Sequence, residues 1–182
     1  ATKFKGLCMK PFSLIDEPIA VVNVNFRLET HGEDHITACD IRCEMRRENT
    51  ALEIIDPALI DMLYVDGFPD HAKITKSLAG MDRKAHLRVP TLAKPLEISK
   101  ELTGVMVRIP WGLNDEITLP AARVNKWRVE ALEGGSVVIS FRVQSTIDPG
   151  DASKIVSIWL GGEVQISMES AQSELELEGE DA

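Results

Sequence analysis

The chain has 182 residues, 44% of them apolar and 27% charged, with a formal net charge of −9. That length and balance fit one folded domain with a real core and exclude an extensively disordered chain. No run approaches the roughly 20 apolar residues that a membrane-crossing helix needs, and no secretory leader is visible, so a cytoplasmic protein is expected.

Residues 1–18 hold short apolar clusters broken by Pro11 and Pro18. From Ile19 to Leu28 the pattern changes. Val22, Val24 and Phe26 share one parity, and Asn23, Asn25 and Arg27 the other, which predicts a half-buried strand. His31-Gly32-Glu33-Asp34 reads as a turn. A second strand follows from about His35 to Arg46, with Cys39, Ile41, Cys43 and Met45 on its apolar side. Asp56-Pro57 predicts a helix start, with Leu59, Ile60, Leu63 and Tyr64 at helical spacing and Gly67 as the stop. Leu87 to Leu92 is an edge-strand candidate, because Pro90 has no N–H to give to a ladder.

The β signal then strengthens. Val105, Val107 and Ile109 alternate with Met106 and Arg108, and Gly112 to Asp115 turns the chain. Ile117 and Leu119 lead into Val124 to Val129, and Gly134-Gly135 turns again. Val137, Ile139, Phe141 and Val143 face inward against Ser140, Arg142 and Gln144. Residues 151–160 predict a short helix closed by Gly161-Gly162, and Val164, Ile166 and Met168 mark a last strand. Phe26, Phe141 and Trp159 are expected in the core. At an offset of 81, Val24, Arg27, Asp34, Ile36, Thr37 and Arg42 match Val105, Arg108, Asp115, Ile117, Thr118 and Arg123, so two similar hairpins are expected.

Charge is unevenly placed. The last 14 residues carry six acidic groups and no Lys or Arg, which leaves the rest near balance at −3. From His71 to Lys100, seven cations face only Asp82 and Glu97, a local excess of +5. Either these are a solvated loop and a solubilising tail, or they are a polyanion site and a segment that competes for it or recruits a basic partner. The tail candidates for partner binding are Glu174, Glu176, Glu178, Glu180 and Asp181.

His31, His35, Cys39 and Cys43 recur every four residues and are all zinc-ligand types. A regular strand would spread them over about 40 Å at roughly 3.3 Å per residue, so they cannot share one ion. Core cysteines and turn histidines are expected instead, with no metal and no cofactor. The three cysteines are too few, and odd in number, for a disulfide framework. No Gly-x-Ser-x-Gly elbow, phosphate loop or dinucleotide fingerprint is present, so the reading is non-enzymatic.

Nucleic-acid binding has partial support. Phosphates need cations, and the candidates are Arg42, Arg46, Lys73, Lys76, Arg83, Lys84, Arg88, Arg123, Lys126 and Arg128. Single strands also stack on exposed aromatics. Aromatics make up only 5% of the chain, and Trp111 and Trp127 are the stacking candidates.

Val124-Asn125-Lys126-Trp127, then Glu133-Gly134-Gly135-Ser136-Val137 and Phe141-Arg142-Val143-Gln144, form one set of familiar motifs. Ala38-Cys39-Asp40-Ile41, leading to Asp56-Pro57-Ala58-Leu59 and Leu63-Tyr64, form another. Together, over about residues 20–168, they resemble a family of small, functionally uncharacterised phage and prophage proteins found near early-region DNA recombination genes. The resemblance brings no catalytic residues. It implies a phage protein inside a bacterial host cell, with a partner in DNA metabolism.

The expected fold is α+β and predominantly antiparallel β. Seven or more strands make a sandwich or a partly open barrel, with two short helices. One domain spans 1–168 and a flexible acidic tail spans 169–182. The expected function is a non-enzymatic accessory of phage DNA metabolism that binds single-stranded DNA or a recombination or repair protein. The alternative is an acidic protein-interaction module, an inhibitor of a host DNA-binding enzyme or an assembly adaptor, that touches no nucleic acid. Pairing of edge strands into a homo-oligomer stays open.

Overall fold

The structure, a computed structural model, describes residues 12–31, 34–66, 84–92 and 94–170. Strands β1 (Ser13–His31) and β2 (Asp34–Glu48) come first, then the short β3 (Tyr64–Val65), β4 (His86–Leu87) and β5 (Leu96–Ile98). They are followed by β6 (Leu102–Trp111), β7 (Asp115–Leu132), β8 (Ser136–Thr146) and β9 (Glu163–Ser170). Among the described residues the helices are α1 (Ala58–Leu63) and α2 (Ala152–Gly161), with 3-10 turns at Asn49–Ile54 and Pro149–Asp151. The expected class, predominantly antiparallel β, is the class found.

Of the two expected architectures, the barrel is realised, and it is closed. β1 pairs with β2, β2 with β8, β8 with β7, β7 with β6, β6 with β9 and β9 with β1, all antiparallel. β7 makes the closure possible. Its second half pairs with β8 on one edge, while its other edge carries β6 and, further along, β5. β5 is therefore a continuation of β6 after a break at 99–101, an element the sequence did not announce.

A small closed ring forces its strands to bend, and bulges supply the bends. Asp16 (φ 50°), Ala121 (φ 51°) and Lys126 (φ 54°) are the described non-glycine residues in the left-handed region. Each sits at a register shift: Asp16 between β1 and β9, Ala121 between β6 and β7, and Lys126 between β7 and β8. Pro18 therefore does not break β1. It follows the first bulge and pairs with Gln165.

The inner face is apolar throughout. Cys39, Ile41, Cys43 and Met45 of β2 are buried against Val137, Ile139, Phe141 and Val143 of β8. Trp127 lies at the centre, edge-on to Phe12 at 6.0 Å and tilted over Phe141 at 4.8 Å. A ring buried this fully is worth about 3–5 kcal/mol against alanine.

α2 fills a gap in the wall. β9 pairs with β1 only over Ser13–Ala20 and with β6 only over Val105–Arg108, so both neighbours outrun it. The helix before β9 covers that space with Ile155 and Ile158. Lys154 ties it to Asp115 and Asp151, and the Trp159 indole N–H donates to the Val22 carbonyl at 3.1 Å.

Other expectations shift locally. A bulge between Val21 and Asn23 buries Val21 and turns Val22 outward. The α1 start is capped as expected, the Asp56 carboxylate accepting the Ala58 N–H at 2.8 Å. The helix ends at Leu63, however, and Tyr64 opens β3. Of the edge strand expected over Leu87 to Leu92, only Leu87 is in β4, which pairs with β3 and begins one residue earlier at His86, and Leu92 closes a turn on Val89. Gly67 lies outside the described residues. The Tyr64 hydroxyl donates to the Ser136 carbonyl at 2.5 Å and accepts from the Leu132 N–H, which pins the small sheet to the β7–β8 turn. That turn needs Gly135 because its φ of 78° lies in the left-handed region that side chains rarely adopt.

The 81-residue echo falls on the β1–β2 and β6–β7 hairpins. It is not a rotational repeat. β2 and β7 flank β8 and run parallel to each other, so a rotation exchanging them about β8 would turn their core faces outward.

Burial pushes the Cys39 and Cys43 thiols up to about 12. Thiolate is the reactive form, so a thiol reagent at mildly alkaline pH should leave both residues unlabelled in the native protein and label both in denaturant. Peptide mapping of the labelled chain checks this. Native labelling of either residue would contradict the closed barrel.

Candidate functional site

Polar residues on the outer face of β1, β2, β8 and β7 line up because their registers agree. One row reads Asn23, Arg42, Arg142, Asn125 across the four strands. The next reads Asn25, Asp40, Gln144, Arg123. A third joins Ser140, Arg128 and Glu97 across β8, β7 and β5. The two four-strand rows span about 14 Å and the three-strand row about 10 Å, at roughly 4.8 Å per strand. The break between β5 and β6, at Ser99–Glu101, forms a side wall. Together these residues enclose an open groove of about 1050 Å³.

Its charge is lopsided. Arg42, Lys100, Arg123, Lys126, Arg128 and Arg142 line it against Asp40, Glu97 and Glu101. Some cations are engaged. Arg128 pairs with Glu97 at 2.6 Å and Arg123 with Glu101 at 3.4 Å. The Lys100 amine turns away, donating to the carbonyls of Ile54 and Ile55 at 3.0 and 2.8 Å. Burial pushes its pKa down, against the charge of Asp56. Among the described residues, Arg42 and Lys126 have no hydrogen-bond or ion-pair partner.

Arg142 is the fixed element of the face. It donates to Asn125 at 3.1 Å and to Gln144 at 2.9 Å, with Asp40 at 3.8 Å. Asp40 also accepts from Gln144 at 2.9 Å and from Arg27. Burial alone would push the Asp40 carboxyl up. The bonds from Arg27 and Gln144, with the charges of Arg27 and Arg142, outweigh it and hold the carboxyl below its ordinary 3.8.

The structure brings together Arg42, Arg123, Lys126 and Arg128 of the sequence candidates, with Arg142 added. Arg46 is exposed further along β2, opposite Val138, and does not line the groove. Lys84 and Arg88 lie elsewhere, bound to the carboxylate and the carbonyl of Asp61 on α1. Lys73, Lys76 and Arg83 lie outside the described residues, as do Glu174, Glu176, Glu178, Glu180 and Asp181. β9 runs on to Ser170, so Glu169, expected in the tail, is strand and pairs with Arg108 at 2.9 Å.

The aromatic candidates are corrected. Trp127 is 1% exposed and cannot stack on a base. The bulge at Lys126 places two residues opposite Phe141 and reverses the parity, so Lys126 points outward and Trp127 inward. Trp111 is half-buried against the core. Trp159, expected inside, is instead 38% exposed on α2, because its indole N–H reaches the β1 edge.

Arg142 sat on the wet side of its strand in the sequence, but nothing there placed it next to Arg42. The strand register supplies that. Comparison with known protein families, with characterised proteins and with solved structures finds no match to this chain.

Two outcomes follow from this geometry. The Asp40 contribution is complete above its unfolded value near 3.8 and is lost as pH falls through the lower folded value. The Tm of the Asp40→Asn variant should therefore fall less than that of the parent below that pH, which a calorimetric pH series reads. Lys126 carries the left-handed strain that glycine avoids, so Lys126→Gly should stabilise the fold by about 1 kcal/mol in urea unfolding.

Proposed function

We propose that the groove binds the sugar-phosphate backbone of single-stranded DNA, and that the protein is a non-enzymatic accessory of phage DNA metabolism. The observation that carries this reading is the cluster of Arg42, Arg123, Lys126, Arg128 and Arg142 along one groove of an otherwise acidic chain. Among the described residues, two of its cations have no side-chain partner to give up. Phosphates neutralised there release counterions, which drives the association.

The neutral lining fits a strand with unpaired bases. Asn23 and Asn25 offer amide donors and acceptors beside the cations, the groups that bond to base edges, while Asn125 and Gln144 are engaged with Arg142, Asp40 and each other. With Trp127 inside the barrel, base stacking contributes little. Binding therefore depends steeply on salt and only weakly on sequence. The phage setting rests on the motif resemblance alone.

The acidic run adds a regulatory element to this reading. The chain leaves the described barrel at Ser170, beside Val105 of β6, whose other neighbour Ala122 precedes Arg123. Two strand spacings, about 10 Å, separate that exit from the groove rim. An acidic segment starting there competes with DNA for the same cations. If the groove holds no nucleic acid, the same acidic run makes the protein a docking module for a basic partner, the second reading.

Fluorescence anisotropy with labelled oligothymidylate tests the first. Affinity should fall steeply with salt, and a chain ending at Ser170 should bind more tightly than the full chain. Replacing Arg42, Arg123 and Lys126 together with Gln should weaken binding about tenfold or more and flatten the log–log salt slope by roughly two units, at about 0.7 per phosphate contact. Binding that ignores salt, or that survives the triple replacement, would refute the reading.

A further inference from the structure

The row Asn23–Arg42–Arg142–Asn125 contains a feature that stability alone does not explain. Arg42 and Arg142 are direct cross-strand partners, and both point outward. Like charges placed opposite each other on one face repel, and opposite-charge pairs are the stabilising choice. The carboxylate at hand does not resolve the repulsion. Asp40 accepts from Arg27 and Gln144 and stands 3.8 Å from Arg142, and among the described residues no carboxylate pairs with Arg42.

A second observation lies one strand away. Lys126, the extra residue of the β7 bulge, is held at φ 54° and is exposed beside Asn125, the end of the same row. Left-handed backbone at a lysine is strained and gains nothing for packing, because the side chain faces solvent. Strain of this kind gathers where a side chain is being aimed.

We infer that the Arg42–Arg142 pair is a phosphate subsite, with Lys126 as a third cation at its rim. This deepens the groove reading and rests on it for the identity of the natural ligand, a phosphodiester of the bound strand. Arg142 is pre-set by Asn125 and Gln144. Arg42 is free to swing. Two guanidinium forks on neighbouring strands can each donate a pair of N–H groups to one tetrahedral anion, the geometry in which arginine outperforms lysine. The anion removes the repulsion that the empty pair carries, so binding and stability are coupled at this point.

That coupling gives an opposite-signed test. Melting of the full chain is followed in potassium phosphate and in sodium chloride of matched ionic strength. The parent should melt at a higher temperature in phosphate, by the mass-action gain of a ligand that binds the folded state. Arg42→Gln should raise the melting temperature in chloride, because the like charge is gone, and should erase the phosphate-specific gain. Arg46→Gln, on the same strand outside the groove, should keep that gain.

Equal melting of the parent in the two salts would overturn the subsite, and so would a phosphate gain that persists in Arg42→Gln. The oligothymidylate titration separates the two levels. A phosphate gain without oligonucleotide binding retains the subsite and removes the strand reading. Oligonucleotide binding that Arg42→Gln leaves unchanged retains the groove and removes the subsite.

Discussion

β7 is paired along both of its edges, and that leaves the main sheet no place to stop between β8 and β6. From this closure the rest follows. A closed ring has one inside and one outside, so every strand must alternate consistently, and a slip in register would reverse both faces at once. The inside accepts Trp127, Phe141, Ile41 and their neighbours. The outside of β1, β2, β8 and β7 receives the arginines and amides in aligned rows. The groove is thus a consequence of barrel registration, and its geometry is fixed by the same hydrogen bonds that hold the core together.

An acidic protein can present a cationic groove because charge acts locally. Screening at physiological salt limits the reach of exposed charges to about 8 Å, so net charge summed over the chain does not set the potential of a local cluster. Within the groove the charges form two kinds of sites. Arg128 with Glu97, and Arg123 with Glu101, are internal pairs that shape the wall. Such exposed pairs contribute little to stability. Among the described residues, Arg42 and Lys126 are groove cations whose side chains have no hydrogen-bond or ion-pair partner, and a ligand gains most where the protein has not already satisfied its own groups.

The alternation of apolar and polar residues made β2, β8 and the Val105–Ile109 part of β6 readable from sequence, because each keeps one parity there. The bulges were not readable. One extra residue at Lys126 exchanged the faces of Lys126 and Trp127, and another near Val22 exposed a valine that the pattern buried. Lysine and alanine are not usual occupants of left-handed positions, so Lys126 and Ala121 carry no signal, whereas aspartate, at Asp16, is a type enriched there. The site was half-visible for a related reason. Arg123, Lys126 and Arg128 lie close together in the chain, but their meeting with Arg42 and Arg142 depends on two long-range registers. Lys84 and Arg88 show the reverse: sequence proximity grouped them with a basic run, while local bonds to Asp61 bind them to α1.

Side-chain NMR of the arginine Nε–H groups, during titration with a short oligothymidylate, tests the central claim most directly. The account predicts that Arg42 and Arg142 shift first, with Arg123 and Arg128 following, while Arg46, Arg88 and Arg108 stay in place. Shifts confined to Arg46, Arg88 or Arg108, or no arginine shift at saturating oligonucleotide, would contradict it.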